Sequence, residues 1–194
     1  MAYSLEKIEI QLIEDNRNMR ALVKSMLQAL GMKNVRDHSN GQEAIDALSD
    51  YAPDLIITDW MMGPVDGLEY PNYIRRNIDS PDIFTPIVLM TGHTETRRII
   101  MARDAGVTEV LSKPISAKSL YDRVLAVIEK PRPFVRTKKF FGPCRRRLNW
   151  EEYFGPERRF SLDSPNAIPS LGLAAGGAGL DNDLDDVERL LESL

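Results

Sequence analysis

Along the first 130 positions, short runs of aliphatic and β-branched residues alternate with longer stretches whose apolar residues return every three or four places. That alternation predicts strands joined by crossover helices, and therefore a parallel sheet. Lys7 to Ile13 places Ile8, Ile10 and Leu12 on alternate positions before Glu14 and Asp15; Met19, Leu22, Val23, Met26, Leu27 and Leu30 then follow helical spacing until Gly31. Val35 to His38 is a weaker second strand. Asn40 can cap a helix carrying Ala44, Ile45 and Leu48, and Pro53 introduces Asp54 to Asp59. The unbroken Leu55, Ile56 and Ile57 in that segment predict a central strand covered on both faces. After the loop MMGPVDG the pattern gives a helix from about Leu68 to Asn77, a fourth strand from Pro86 to Thr91 and a helix from Thr94 to Ala105. A fifth strand, Glu109 to Ser112, and a last helix, Ser116 to Glu129, complete it. The expected fold class is α/β, a doubly wound five-stranded parallel sheet.

The pattern breaks after Lys130, and an irregular extension is expected. Within 131–160, Phe141, Gly142, Pro143, a variable residue, Arg145 and Arg146 recur thirteen positions later as Phe154, Gly155, Pro156, a variable residue, Arg158 and Arg159. Two such FGP-x-RR copies are too few for a solenoid. Residues 161–180 are small and polar, a flexible linker by composition. Residues 181–194 are acidic, and Leu180, Leu184, Val187, Leu191 and Leu194 fall on a heptad stripe, so a short amphipathic helix is expected there.

Composition sharpens this division. The formal charge of −4 splits into −4 over 1–130 (15 basic, 19 acidic), +6 over 131–160 (9 and 3) and −6 over 161–194 (1 and 7). A basic arm with six aromatic residues from Phe140 to Phe160 is thus followed by an acidic end. No apolar run approaches the ~20 residues of a membrane span, and the start turns acidic too early for a signal peptide. A soluble, cytoplasmic protein without membrane insertion is expected. The single cysteine, Cys144, excludes an internal disulfide, and His38 and His93 alone cannot build a zinc site. Arg145 to Arg147 would favour a Cys144 thiolate, but an incidental free thiol is the simpler reading.

Candidate chemistry gathers at the carboxyl ends of the predicted strands, where open parallel sheets place their sites. Glu14 and Asp15 end the first strand, Asp59 the third, Thr91 the fourth, and Lys113 follows the fifth. Any one acid at a strand end is commonly a solvated cap. Three converging acids repel one another unless a cation intervenes, and a hard divalent ion such as Mg²⁺ suits oxygen ligands. A lysine and a hydroxyl on the remaining strand ends complete an anion cradle.

These residues resemble the receiver domain of two-component response regulators over about residues 6 to 130. The matching pieces are IEIQLIEDN with Glu14 and Asp15, DLIITDWMMGPVDGLE around Asp59, MTG at Met90 to Gly92, and LSKP ending in Lys113 and Pro114. The resemblance implies a flavodoxin-like sheet of order 2-1-3-4-5, with 1–130 as the phosphoacceptor domain. It further implies Asp59 as phosphoacceptor, Mg²⁺ on Glu14, Asp15, Asp59 and the Met61 backbone carbonyl, Lys113 against the phosphoryl group, and Thr91 as switch hydroxyl. Met61 and His93 would flank the hydrolytic water and tune dephosphorylation; Met61 has no polar side chain to orient that water, whereas His93 has. Receivers commonly carry Tyr or Phe three residues before the lysine, but Val110 stands here. Gly63 replaces a common proline, with Pro64 after it, so a different turn is expected beyond Asp59. Trp60 reads as a surface aromatic, and Gly41 and Gly67 as turn and cap glycines.

The resulting expectation is a single-receiver signalling protein rather than an enzyme, with self-phosphorylation from a donor and slow autodephosphorylation as its only chemistry. A histidine kinase or phosphotransfer protein would be the donor, and a downstream protein the output partner, with the C-terminal tail as one contact. The alternative is a receiver-regulated nucleic-acid-binding protein acting through the basic arm, whose arginines and aromatics suit single strands. Against it, 131–160 shows no recognition-helix pattern. A Mg²⁺ phosphohydrolase is disfavoured because Met61 offers no general acid.

Overall fold

A computed structural model describes residues 5–137, 140–144 and the backbone of 160–161. Five parallel strands, β1 (Ile10–Ile13), β2 (Val35–His38), β3 (Leu55–Asp59), β4 (Ile87–Thr91) and β5 (Glu109–Ser112), form one sheet in the order β2-β1-β3-β4-β5. Five helices connect and follow them: α1 (Arg17–Ala29), α2 (Gly41–Asp46), α3 (Glu69–Arg76), α4 (Thr96–Asp104) and α5 (Ala117–Glu129). The doubly wound fold expected from the alternation is the one observed. The first strand is shorter than its apolar pattern, because Leu5–Lys7 forms a 3-10 turn instead. Among the described residues no helix is long and apolar enough to cross a membrane.

Strand side chains alternate between the two faces, and the alternation divides the core. Ile10, Leu12, Leu55, Ile57, Val88 and Met90 pack with Val23 and Leu27 of α1 and Leu120, Val124 and Val127 of α5. Their neighbours Ile13, Ile56, Ile87 and Leu89 pack on the other face with Ala44 of α2, Tyr70 and Ile74 of α3 and Ala102 of α4. β1, β3 and β4 are buried throughout, which accounts for apolar runs instead of polar alternation. Gln11, fully buried on β1, donates to the Ala44 carbonyl at 2.9 Å and accepts from the Tyr70 hydroxyl, so its burial leaves no amide unpaired.

Helices α1, α2 and α5 start at side-chain caps. The Asn16 side chain accepts from the Asn18 and Met19 amides, that of Asn40 from Glu43, and Ser116 forms a capping box with Ser119.

The extension contains elements that the pattern did not announce. β6 (Phe134–Thr137), β7 (Phe140–Pro143) and β8 (Phe160–Ser161) make an antiparallel sheet of order β7-β6-β8. Phe134 and Phe141 pack edge-on against Phe84 at 5.1 and 5.7 Å between centroids. Cys144, the expected incidental thiol, is buried beside Val135 and Phe140. The linker expected over 161–180 begins with Ser161, which belongs to β8; its remaining residues, the second FGP-x-RR copy and the acidic helix expected over 181–194 lie outside the described residues.

Candidate functional site

Parallel register brings the strand ends to one level. Ile13 of β1 lies beside Thr58 of β3, and Asp59 beside Met90 of β4, so Glu14 and Asp15 follow β1 where Asp59 closes β3. Carboxylate oxygens of Glu14, Asp15 and Asp59 all come within 4.8 Å of one another. Glu14 and Asp59 are buried, whereas Asp15 is exposed at the mouth. Thr91 of β4 pairs with Ser112 of β5, which delivers Lys113 to the same end.

Lys113 is the cation of this cluster. Its Nζ lies 2.7 Å from Asp59 Oδ1 and 3.0 Å from Glu14 Oε2. The lysine amide donates to the Thr91 carbonyl at 2.8 Å, and the peptide to Pro114 is cis, as is Gly63–Pro64 in the loop beyond Asp59. Burial works against the ammonium, but hydrogen bonds and charges from Asp59 and Glu14 outweigh it and raise its pKa. Burial also raises the Glu14 carboxyl above the usual range; the Lys113 hydrogen bond opposes this and the Asp59 charge adds to it. Three carboxylates against one ammonium leave about two negative charges, the deficit a divalent cation would fill. The oxygen donor set fits a hard ion of the Mg²⁺ type.

Thr91 is buried, and its hydroxyl accepts from the His93 amide at 2.9 Å. The His93 side chain is 40% exposed, with Nδ1 4.0 Å from Glu95 Oε1, and the Met61 side chain faces solvent. All seven residues singled out from the sequence therefore sit at the carboxyl end of the sheet or in its first loops. The sequence supplied no means of seeing two others. Trp60, expected at the surface, is only 5% exposed; its amide donates to Met90 and its ring packs among the α3 and α4 residues. The loop after Asp59 folds back so that the Gly67 amide donates to the Trp60 carbonyl at 3.0 Å, which encloses the ring. Gly67 is more than a cap: a Cβ there would lie 2.1 Å from the Asp59 carbonyl oxygen. Its missing side chain is what lets this loop lie on the end of β3.

Comparison with known proteins agrees with this geometry. The chemotaxis protein CheY-3 of Vibrio cholerae serotype O1 is 27% identical over 125 residues, 64% of this chain and 95% of the relative. The structure of the chemotaxis response regulator CheY4 of Vibrio cholerae matches with a TM-score of 0.57 and 26% identity, covering 62% of this chain and 98% of that one. The receiver domain of a Pseudomonas aeruginosa PAO1 sensor histidine kinase, which has a magnesium ion coordinated in its active site cleft, shares the fold at a TM-score of 0.57 and 24% identity, over 63% of this chain and 98% of that one. The family pattern of the response regulator receiver domain matches residues 10–125, more than half of the chain, and the chain belongs to that family.

Proposed function

We propose that this chain accepts a phosphoryl group on Asp59 from a histidine kinase or phosphotransfer protein and signals through phosphorylation-dependent protein contact. The observation that carries this reading is the Lys113 ammonium 2.7 Å from an Asp59 oxygen, inside a cluster whose remaining charge is negative. In the transfer, a carboxylate oxygen of Asp59 forms the new O–P bond as the bond from phosphorus to the donor atom breaks. The donor leaves with that electron pair and takes a proton from water. Glu14, Asp15, Asp59 and the Met61 carbonyl would hold Mg²⁺, which when bound would supply positive charge against the phosphoryl oxygens. Lys113 supplies the protein's own share, already positioned, so little reorganisation is needed.

The acylphosphate adds three acceptor oxygens and about two negative charges. Lys113 then exchanges a carboxylate partner for a phosphoryl one. Thr91, one residue beyond the Met90 that pairs with Asp59, turns its hydroxyl from the His93 amide toward the new acceptor, which draws the loop carrying His93. Hydrolysis is slow because the exposed Met61 side chain cannot orient water, a role left to the partly exposed His93 side chain beyond Thr91. Residues 1–130 form the phosphoacceptor unit, the extension is its appendage, and the protein works in the cytoplasm.

Incubation with a small phosphodonor and Mg²⁺ tests the proposal. Wild type should acquire an acid-stable, base-labile phosphoryl adduct. Asp59→Asn should acquire none, and wild-type labelling of that variant would refute the assignment.

A further inference from the structure

A cleft of about 200 Å³ lies between α4, β5 and α5, away from the acid cluster. Ile99, Val107 and Val110 give it apolar lining, and Arg103, Arg123 and Arg132 give it charge. Among the described residues Glu109 is the only acidic one in the lining; its carboxylate lies 3.3 Å from Arg123 and 2.5 Å from Arg132, while Arg103 lies 3.5 Å from Asp104 outside the cleft. Three arginines and one glutamate give the lining a net charge of +2. The arginine side chains remain between 19% and 41% exposed, so a ligand can reach them. An occupant must therefore be both apolar and acidic.

The chain carries such a segment. Residues 180–194 hold six acids and one arginine, a net −5, with Leu180, Leu184, Val187, Leu191 and Leu194 on one helical stripe. The tether begins beside the cleft: Ser161 pairs with Val135 on β6, three residues beyond the lining residue Arg132. Three extended residues span roughly 10 Å. The intervening 162–179 is rich in Gly, Ala and Ser and spans roughly 23 Å r.m.s., enough to reach without strain.

We propose that residues 180–194 dock in cis on the α4–β5–α5 cleft, the leucine stripe meeting Ile99, Val107 and Val110 and the acids meeting Arg103, Arg123 and Arg132. The cleft adjoins the strand that leads to Lys113, so docking covers the flank of the element that the acid cluster holds. The tail then competes with any external partner for that flank.

A fluorescent peptide of sequence 180–194, titrated into full-length proteins at low salt, tests this. Wild type should bind it weakly, because its own tail is present at high effective concentration. A full-length variant with Asp183→Lys, Asp185→Lys and Asp186→Lys should bind at least about tenfold more tightly, with affinity falling as salt rises. Adding Arg103→Glu and Arg123→Glu to that variant should abolish binding, and Val110→Phe, which fills the cleft without altering charge, should weaken it. Equal affinity of wild type and tail variant overturns the proposal. So does binding that survives both the arginine reversals and Val110→Phe, which would place the peptide on the basic arm. A concentration-dependent doubling of mass in wild type, lost in the tail variant, also overturns docking in cis by putting the tail on a second copy.

Discussion

Lys113 stands between two carboxylates at 2.7 and 3.0 Å, a position that under the proposed function would make it a partner of the phosphoryl group and a competitor of a bound metal. Two unit charges about 4 Å apart repel by ~1 kcal/mol in a water-like medium, and a unit charge against a divalent one by about twice that, so at least a roughly fivefold effect on affinity is expected. Lys113→Ala should therefore bind Mg²⁺ severalfold more tightly while losing most adduct formation. Trp60 reports the titration because it follows Asp59 in the chain and its ring is enclosed, so a Trp150→Phe background should show magnesium-dependent fluorescence. Unchanged or weaker Mg²⁺ affinity in Lys113→Ala would contradict this electrostatic account. Gly67 is the second test at this scale: Gly67→Ala places a methyl 2.1 Å from the Asp59 carbonyl and 2.7 Å from the Trp60 Cα, both backbone atoms that cannot turn aside. The loop must shift, at a cost of about 1 to 3 kcal/mol, and adduct yield should fall with the melting temperature. For lifetime, Met61→Asn in a His93→Ala background should lose its phosphoryl group faster than His93→Ala alone, measured by decay of the labelled adduct.

Elements were legible from the sequence where one physical constraint governed many positions. Strands covered on both faces must be apolar throughout, so β3 and β4 appeared as runs, and the site appeared because parallel strands bring their carboxyl ends together. The strands of the extension lacked such a constraint. β6 has two buried residues followed by Arg136 and Thr137, and Lys138 and Lys139 join it to β7 without the Asn-Gly or Asp-Gly that marks a tight hairpin. Trp60 and Gly67 were misjudged for a related reason: nothing in a loop's sequence says what it folds back upon. Arg75 shows the same limit. It is 2% exposed on α3 and donates to the carbonyls of Gly106 at 3.1 Å, Ile83 at 2.7 Å and Thr85 at 2.7 Å, with its guanidinium 5.0 Å from the Phe134 ring centroid. One side chain thereby ties α3 to the turns before β4 and β5 and to β6. Arg75→Met retains the stem but leaves three acceptors without that partner; at about 1 to 3 kcal/mol for each, a loss of about 3 kcal/mol or more is expected in urea unfolding.

At the scale of the molecule, function and reinforcement occupy opposite ends of the sheet. The acids and Lys113 lie past the carboxyl ends of β1, β3 and β5, while Arg75, Phe84 and Gly106 meet the extension before the amino ends of β4 and β5. Strands of 4 or 5 residues separate the two ends by roughly 13 to 17 Å. A chain ending at Lys130 would lose Phe134, Val135 and Phe140, which are 6%, 0% and 8% exposed, and would uncover Phe84 and Gly106. Three large apolar side chains at ~1.5 to 3 kcal/mol each put the loss at about 5 to 9 kcal/mol, an upper range because the unfolded chain already buries part of that surface. Among the described residues the acid cluster draws on none beyond Lys113, so its geometry should outlast the truncation wherever the domain remains folded. The urea midpoint should therefore fall sharply in the 1–130 fragment, while the initial rate of adduct formation with a small phosphodonor at low temperature stays within about twofold of the full chain. A fragment as stable as the full chain would mean that the aromatic contact with Phe84 contributes little. A stable fragment that no longer labels would mean instead that the extension shapes the acid cluster across the length of the sheet.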